Sequence, residues 1–399
     1  MAFNNPAWQA SVRDFVGKDL LPGAVLLNGV GFNVTRSVAP AIGGTIVAAA
    51  GATAACLVQA ASYVSLIFVV WTWQGPKSAE GKRREPLRSA INSGIRYVAL
   101  SPQLMRIYFR GFVFGLTAII LLALLPLIAR DMLEGDSLTF GLLLGAFGFG
   151  AVLGGLSSAW IAKILSSEGM VRLSFFGAAI ATGVISVSAW LPLTMVGVAV
   201  GGACWVMNLA LFNTSVQLTT PRWVVGRALS FYQMFTFGGM AAGSWLWGSL
   251  VEASGIVQAL QIAAAAMLIG ILVGLRWPVP PRAELDLEPL DRWQEPPVGL
   301  DIVPRSGPVS IAVEYLIEES DVPEFTALMY ERRRIRRRDG ARQWTLLRNL
   351  EQANQWIERF ELPTWADYVR FHARTTQEDD KVGAQIRFLH RDGDVPRVR

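Results

Sequence analysis

Apolar runs alternate with short charged breaks over the first two thirds of the chain. Eight runs can be read, at about 24–50, 52–73, 107–129, 138–162, 171–191, 193–217, 228–250 and 256–277. Each holds the ~20 mostly apolar residues that a tilted α-helix needs to cross a bilayer. The expected fold class is an all-α polytopic membrane protein with a small C-terminal α+β domain. From 278 the pattern changes. Pro278, Pro280, Pro281, Pro289, Pro296, Pro297, Pro304 and Pro308 exclude a regular helix, so 278–308 reads as an extended linker.

Beyond it, 309–399 reads as a domain. Val309–Ile317 alternates as a strand does. Asp321–Arg338 reads as a helix, with acids at its start and arginines at its end as the helix dipole favours, and Gly340 closes it. Strands at 343–350 and 355–362, a helix over 364–375 and a helical segment at 378–390 complete the order β-α-β-β-α. That order predicts a ferredoxin-like fold, without an obvious fourth strand.

Charge sharpens the division. Only 17% of residues are charged and mean hydropathy is +0.37, where soluble domains run near ~25% charged. Lysines and arginines gather in 1–23, in 74–106, at Lys163 and Arg172, at Arg222 and Arg227, and in the tail. The positive-inside rule then places both termini in the cytoplasm, and an even number of spans agrees. Residues 1–23 are a cytoplasmic loop, 24–73 a pair of helices, 74–106 a basic linker and 107–277 a six-helix bundle. Within the linker, Leu87, Ile91, Ile95 and Val98 recur at helical spacing, which predicts an amphipathic helix on the membrane surface.

Polar groups inside apolar runs are the candidate chemistry. Arg36 sits mid-span with Asn28 and Asn33 on the same helix, and an intramembrane charge is costly enough to carry function or a firm structural bond. Asn208, Asn213 and Gln217 stud the sixth run, and Tyr232 and Gln233 the seventh. These line a pathway or glue helices together. Pro40, Gly43, Gly44, Gly239 and Gly243 are candidates for close helix packing or gating, and Gly141, Gly145, Gly150 and Gly154 share the small-residue spacing. No carboxylate is read deep within a span. The cysteines, Cys56 and Cys204, lie in apolar runs and the histidines, His372 and His390, in the tail. No metal, cofactor or catalytic residue is therefore assigned, and no nucleic-acid partner is expected, since no aromatic platform accompanies the arginines of 332–338. Those arginines read as a solvated helix end or as a contact for anionic lipid.

The stretch PAWQASVRDFVGKDLLPGAVLLNGVGFNVTRSVAPAIGG resembles the junction of the fourth and fifth helices of major facilitator superfamily exporters. The group is the enterobactin-exporter-like one, also called transmembrane secretion effectors. APAIGG is similar to that family's antiporter motif, with Ala39 in place of its first glycine. FGLLLGAFGFGAVLG, TPRWVVGRALSFYQMFTFGGMAAGS and the tail GPVSIAVEY…ERRRIRRRDGARQW carry the likeness onward. The tail is similar to antibiotic-biosynthesis-monooxygenase-type α+β domains.

The resemblance implies export of a small amphipathic molecule, such as a drug or siderophore, by alternating access across the inner membrane, with ion coupling. It also implies self-association through the tail. The family has twelve helices, and Leu26–Gly51 can be laid over Ser230–Gly255 at constant offset, pairing Gly44 with Gly248. Both expectations place four helices ahead of Met1 and leave a partial major facilitator fold here. The competing readings are a membrane-tethered monooxygenase-like or regulatory domain, for which Trp344, Asn349 and His372 are the polar candidates, and a non-transporting fragment.

Overall fold

The computed structural model describes residues 46, 53–65, 67–68, 71–72, 87–281, 286–287, 290, 302–391 and 396–398. Asn28, Asn33, Arg36, Pro40, Gly43 and Gly44 lie outside the described residues. Residues 53–65 are helical. The labelled elements begin with α1 (Leu87–Ala99), α2 (Pro102–Ala118) and α3 (Ile120–Leu127), the last running into a π-helical turn at Ile128–Met132. Then come α4 (Ser137–Ile164), α5 (Ser167–Val187), α6 (Leu191–Leu218), α7 (Val225–Ser254) and α8 (Ile256–Arg276).

Five helical stretches among the described residues are long and apolar enough to cross a membrane: Pro102–Met132, Ser137–Ile164, Ser167–Val187, Leu191–Leu218 and Ile256–Arg276. They correspond to five of the six runs read between 107 and 277. The sixth is α7, a 30-residue helix whose Tyr232, Gln233, Thr236 and glycines dilute its apolar character. Side-chain caps set two of the starts. Asp136 accepts from the N–H groups of Leu138 and Thr139 ahead of α4, and Ser166 accepts from Gly169 N–H at the head of α5.

The chain divides into two compact units. The first contains Arg106–Val216 and Leu229–Ala283. Its centre is aromatic: Phe114 meets Phe175 edge-on at 5.2 Å, and Trp205 lies 6.0 Å from Phe114 and 6.2 Å from Phe147. Small residues let the helices approach. A Cβ on Gly150 or Gly154 would overlap Ala199 or Ala203 of α6, and one on Gly239 or Gly243 would overlap the backbone of Phe112 or Leu116 in α2. Trp247 donates its indole N–H to the Leu116 carbonyl at 2.7 Å, fixing the same α2–α7 contact. Among the described residues, nothing lies within 4 Å of a Cβ at Gly141 or Gly145. Leu156, Trp160 and Leu275 stand exposed along the helices, the surface that a lipid environment would cover.

The second unit joins Glu85–Met105, Gln217–Ala228 and Glu284–Arg399. Its sheet is formed by β1 (Val309–Leu316), β2 (Arg342–Arg348), β3 (Gln355–Leu362) and β4 (Arg397–Val398). The strand order is β2-β3-β1-β4, with β3 antiparallel to both β1 and β2. A fourth strand therefore exists where the sequence showed none. It is two residues long, too short to carry an alternation, and is fixed by pairing Val398 with Val313 and Arg397 with Glu314. Helices α9 (Val322–Asp339), α10 (Trp365–Arg374) and α11 (Gln377–Leu389) accompany the sheet. Phe325, Met329, Tyr315, Phe360, Phe371 and Ile386 form the core, and a Thr376–Asp379 capping box starts α11.

The linker helix belongs to this second unit. Arg96 donates to the Arg338 carbonyl at 3.2 Å, and the Arg338 guanidinium lies 4.9 Å over the Tyr97 ring. Trp223, in the turn before α7, meets Tyr97 edge-on at 5.4 Å and Arg374 at 4.2 Å. Ile91 and Ile95 stay exposed, whereas Val98, expected on the same apolar stripe, is buried. The helix thus has two apolar faces, because the tail claims the Tyr97–Val98 side.

Candidate functional site

A densely bonded polar cluster of the first unit was not singled out from the sequence. Arg110 of α2 is wholly buried. It donates to the Gly270 carbonyl of α8 and, at 3.2 Å, to the Glu168 carboxylate of α5. The Phe175 ring lies 5.1 Å beneath it. Arg172, one turn along α5, donates to the same Glu168 oxygen at 3.1 Å and to the Gly274 carbonyl at 3.4 Å. The second Glu168 oxygen accepts from Val279 N–H at 2.9 Å. One carboxylate thus ties together α2, α5, α8 and the chain leaving α8. Gly274 leaves room for it, since a Cβ there would overlap Glu168 Oε1.

Glu168 is buried at a helix end and not deep within a span. It lies in the first turn of α5, in the break between the runs at 138–162 and 171–191, where a sequence reading assigns it to the loop. Arg110 carried a usable signal: a lone arginine four positions into an apolar run is an intramembrane charge like Arg36.

The structure places the other candidates as follows. Asn208 on α6 is fully buried, and neither its amide oxygen nor its nitrogen has a hydrogen-bond partner among the described residues. Tyr232 is buried and donates to the Leu209 carbonyl at 3.2 Å, bridging α7 to α6 next to Asn208 in sequence. Asn213 and Gln233 are half-buried, and Gln217 is buried near the end of α6. Phe109, Phe112, Met234, Phe235 and Gly238 of α2 and α7 line an apolar groove of about 430 Å³, a surface that can take the apolar part of a ligand.

The tail has its own charged centre, made of residues expected at a solvated helix end. Glu358 of β3 is fully buried. It accepts from Arg332 at 3.0 Å, Arg336 at 3.4 Å, Tyr315 at 2.9 Å and the Trp344 indole at 2.9 Å. Burial opposes its charge, but Arg332 and Arg336 win and hold its carboxyl down at about 2. Arg338 pairs with Asp339 at 3.0 Å and Asp379 at 2.7 Å. Half of the arginine run is therefore interior. His372 lies 4.7 Å from Tyr368, ring to ring, and both border a cavity of about 160 Å³ that Arg336 also lines. Burial, aided by Arg336, pulls the imidazole down to about 4. Asn349 bonds Gln355 at 2.6 Å, away from that cavity.

A helical bundle with five stretches among the described residues long and apolar enough to cross a membrane fits a polytopic membrane protein. The chain belongs to the transmembrane secretion effector family, whose model matches residues 1–399. Among curated proteins it is 25% identical over 261 residues to the multidrug efflux pump Tap of Mycolicibacterium fortuitum, covering 64% of this chain and 63% of that protein. It is 25% identical over 265 residues to the enterobactin exporter EntS of Escherichia coli O127:H6, covering 66% of this chain and 62% of that one. The chain thus spans less than two thirds of these relatives. Among solved structures, the human organic anion transporter MFSD10 (TETRAN) aligns with TM-score 0.54 at 14% identity, covering 67% of each chain. The E. coli fucose:proton symporter FucP (N162A) aligns with TM-score 0.52 at 10% identity, over 70% of this chain and 73% of that one. These two likenesses are of fold.

Proposed function

We propose that the chain contributes to export of a small amphipathic molecule, of the drug or siderophore type, by alternating access across the inner membrane. The observation that carries this reading is Asn208: a wholly buried amide with neither atom bonded among the described residues. An orphaned buried amide is costly and is kept where a ligand or a second state satisfies it. The Phe109–Phe235 groove would offer the apolar part of the substrate its surface. Gln233, Asn213 and Gln217 extend the polar side of the pathway, and Arg36, Asn28 and Asn33 would face it from the preceding helices. The Arg110–Glu168–Arg172 knot joins α2, α5 and α8, and its opening and closing would accompany the transport cycle. Pro40 with Gly43 and Gly44, and Gly239 with Gly243, would let their helices slide or flex. Coupling to an ion is part of the reading.

Both termini are cytoplasmic in this proposal. The tail is ferredoxin-like, a reading supported by β1 and β2 lying either side of β3, and it self-associates or regulates rather than catalyses. The test is efflux of a fluorescent dye and of a catecholate siderophore from cells carrying the chain or its Asn208→Ala variant. Export lowered by the substitution at equal membrane abundance is the expected result; equal export by both would refute the role given to Asn208.

A further inference from the structure

The arginines at the end of α9 do not all turn inward. Arg332, Arg336 and Arg338 hold carboxylates, and Arg334 pairs with Glu331 at 2.8 Å. Arg333 and Arg337 instead border a cavity of about 490 Å³, together with Arg342 of β2 and Arg96 of α1. No carboxylate lines it. Among the described residues none lies within ion-pair distance of any of the four. Glu361, opposite Arg342 in the ladder, is instead 4.0 Å from Arg359.

Four permanently charged guanidiniums around one space repel one another unless an anion joins them. Burial lowers the proton affinity of the Arg96 guanidinium first, and Arg374 and Arg342 push the same way against Asp339 and Asp367. The backbone is shaped to the same end. Gln343, which also lines the cavity, adopts φ 48°, and the β2–β3 register slips between Arg342 and Thr345. A side-chain-bearing residue in that conformation is strained, and a bulge re-aims the side chains next to it. Trp344 closes one wall, with Arg333 stacked 5.7 Å over its ring.

We propose that this cavity is a binding site for a phosphoryl group, held by Arg96, Arg333, Arg337 and Arg342. Planar guanidinium forks match phosphate oxygens two at a time, and the volume suits a phosphate bearing a small organic part. Because Arg96 belongs to the linker helix and the other three to the tail domain, the bound anion clasps α1 onto the sheet. The phosphoryl group comes from an anionic lipid headgroup or from a free phosphate ester, and the chemistry of recognition is the same.

The test uses the full chain in nanodiscs of phosphatidylcholine, titrated with radiolabelled inorganic phosphate. The expected result is saturable binding, weakened at least tenfold in Arg337→Gln/Arg342→Gln and in Arg96→Gln. Arg359→Gln, on the same sheet but outside the cavity, keeps wild-type binding. Repeating the titration in phosphatidylglycerol nanodiscs separates the sources: competition assigns the site to lipid headgroups, and unchanged binding assigns it to soluble phosphates. Arg337 and Arg342 are exposed, so their replacement spares the core. Absence of saturable phosphate binding in phosphatidylcholine discs, or binding within twofold of wild type in the cavity variants, overturns the proposal.

Discussion

Arg110 and Glu168, 58 residues apart in sequence, meet at 3.2 Å with the arginine wholly buried. Replacing one partner strands the other's charge, whereas replacing both with apolar groups does not. Glu168→Gln is therefore expected to lower the stability of the detergent-purified protein by about 3–5 kcal/mol. Arg110→Leu/Glu168→Leu should recover a large part of that loss. Thermal unfolding of the wild type, both single variants and the double variant gives the coupling directly; additive losses would show that the two groups act independently.

Gly274 supplies the space this pair occupies. Gly274→Ala should displace Glu168 and lower thermal stability as the charge variants do. Gly248→Ala, where nothing among the described residues lies within 4 Å of the added methyl, should leave stability unchanged or raise it by up to about 1 kcal/mol, the helix-propensity gain over glycine. Equal effects at the two positions would contradict the close approach.

Asn208 separates stability from activity. Asn208→Leu fills the same volume without the orphaned amide, so stability should hold or rise by about 1 kcal/mol, while efflux of an amphipathic dye should fall. Thermal unfolding and efflux measured on the same variant decide this. Loss of both together would make Asn208 a packing residue.

The tail domain should weaken in acid in two stages. His372 has its imidazole depressed to about 4 from an unfolded value near ~6.5. The unfolded chain takes up that proton first, so stability is full above ~6.5 and declines as pH falls toward 4. Glu358, depressed to about 2, adds a second loss between pH 4.5 and 2, because its ion pairs vanish on protonation. Each contributes on the order of 2 kcal/mol. Hydrogen exchange of β1 and β3 in the full chain across pH 3–7 reads both stages. In His372→Phe the upper stage should disappear and the lower one remain.

Much of this architecture was legible in one dimension. The apolar runs of 107–277 became helices, because helix length in a membrane protein is set by bilayer thickness. In the tail, the strand of 355–362 and the helix of 364–375 appeared within a residue of their reading, because alternation and caps are local signals. The two-residue β4 and the sorting of the arginines of 332–338 did not appear. A short strand exists only through its partner, and consecutive arginines look alike until a buried Glu358 selects those on one helix face.

The same boundary runs through the functional residues. Sequence alone determined that Asn208, Tyr232 and Gln233 are polar groups in apolar surroundings, since composition and position fix desolvation. Only the tertiary structure decided that Tyr232 spends its hydroxyl on Leu209 while Asn208 keeps both amide atoms unspent among the described residues. It likewise decided that Arg110 finds Glu168, and that Arg96 from the linker joins three arginines of the tail. Hydropathy along a chain reports the solvent each segment meets. Which charge meets which is set by how the helices and sheet pack, and that is written in distances between residues far apart in sequence.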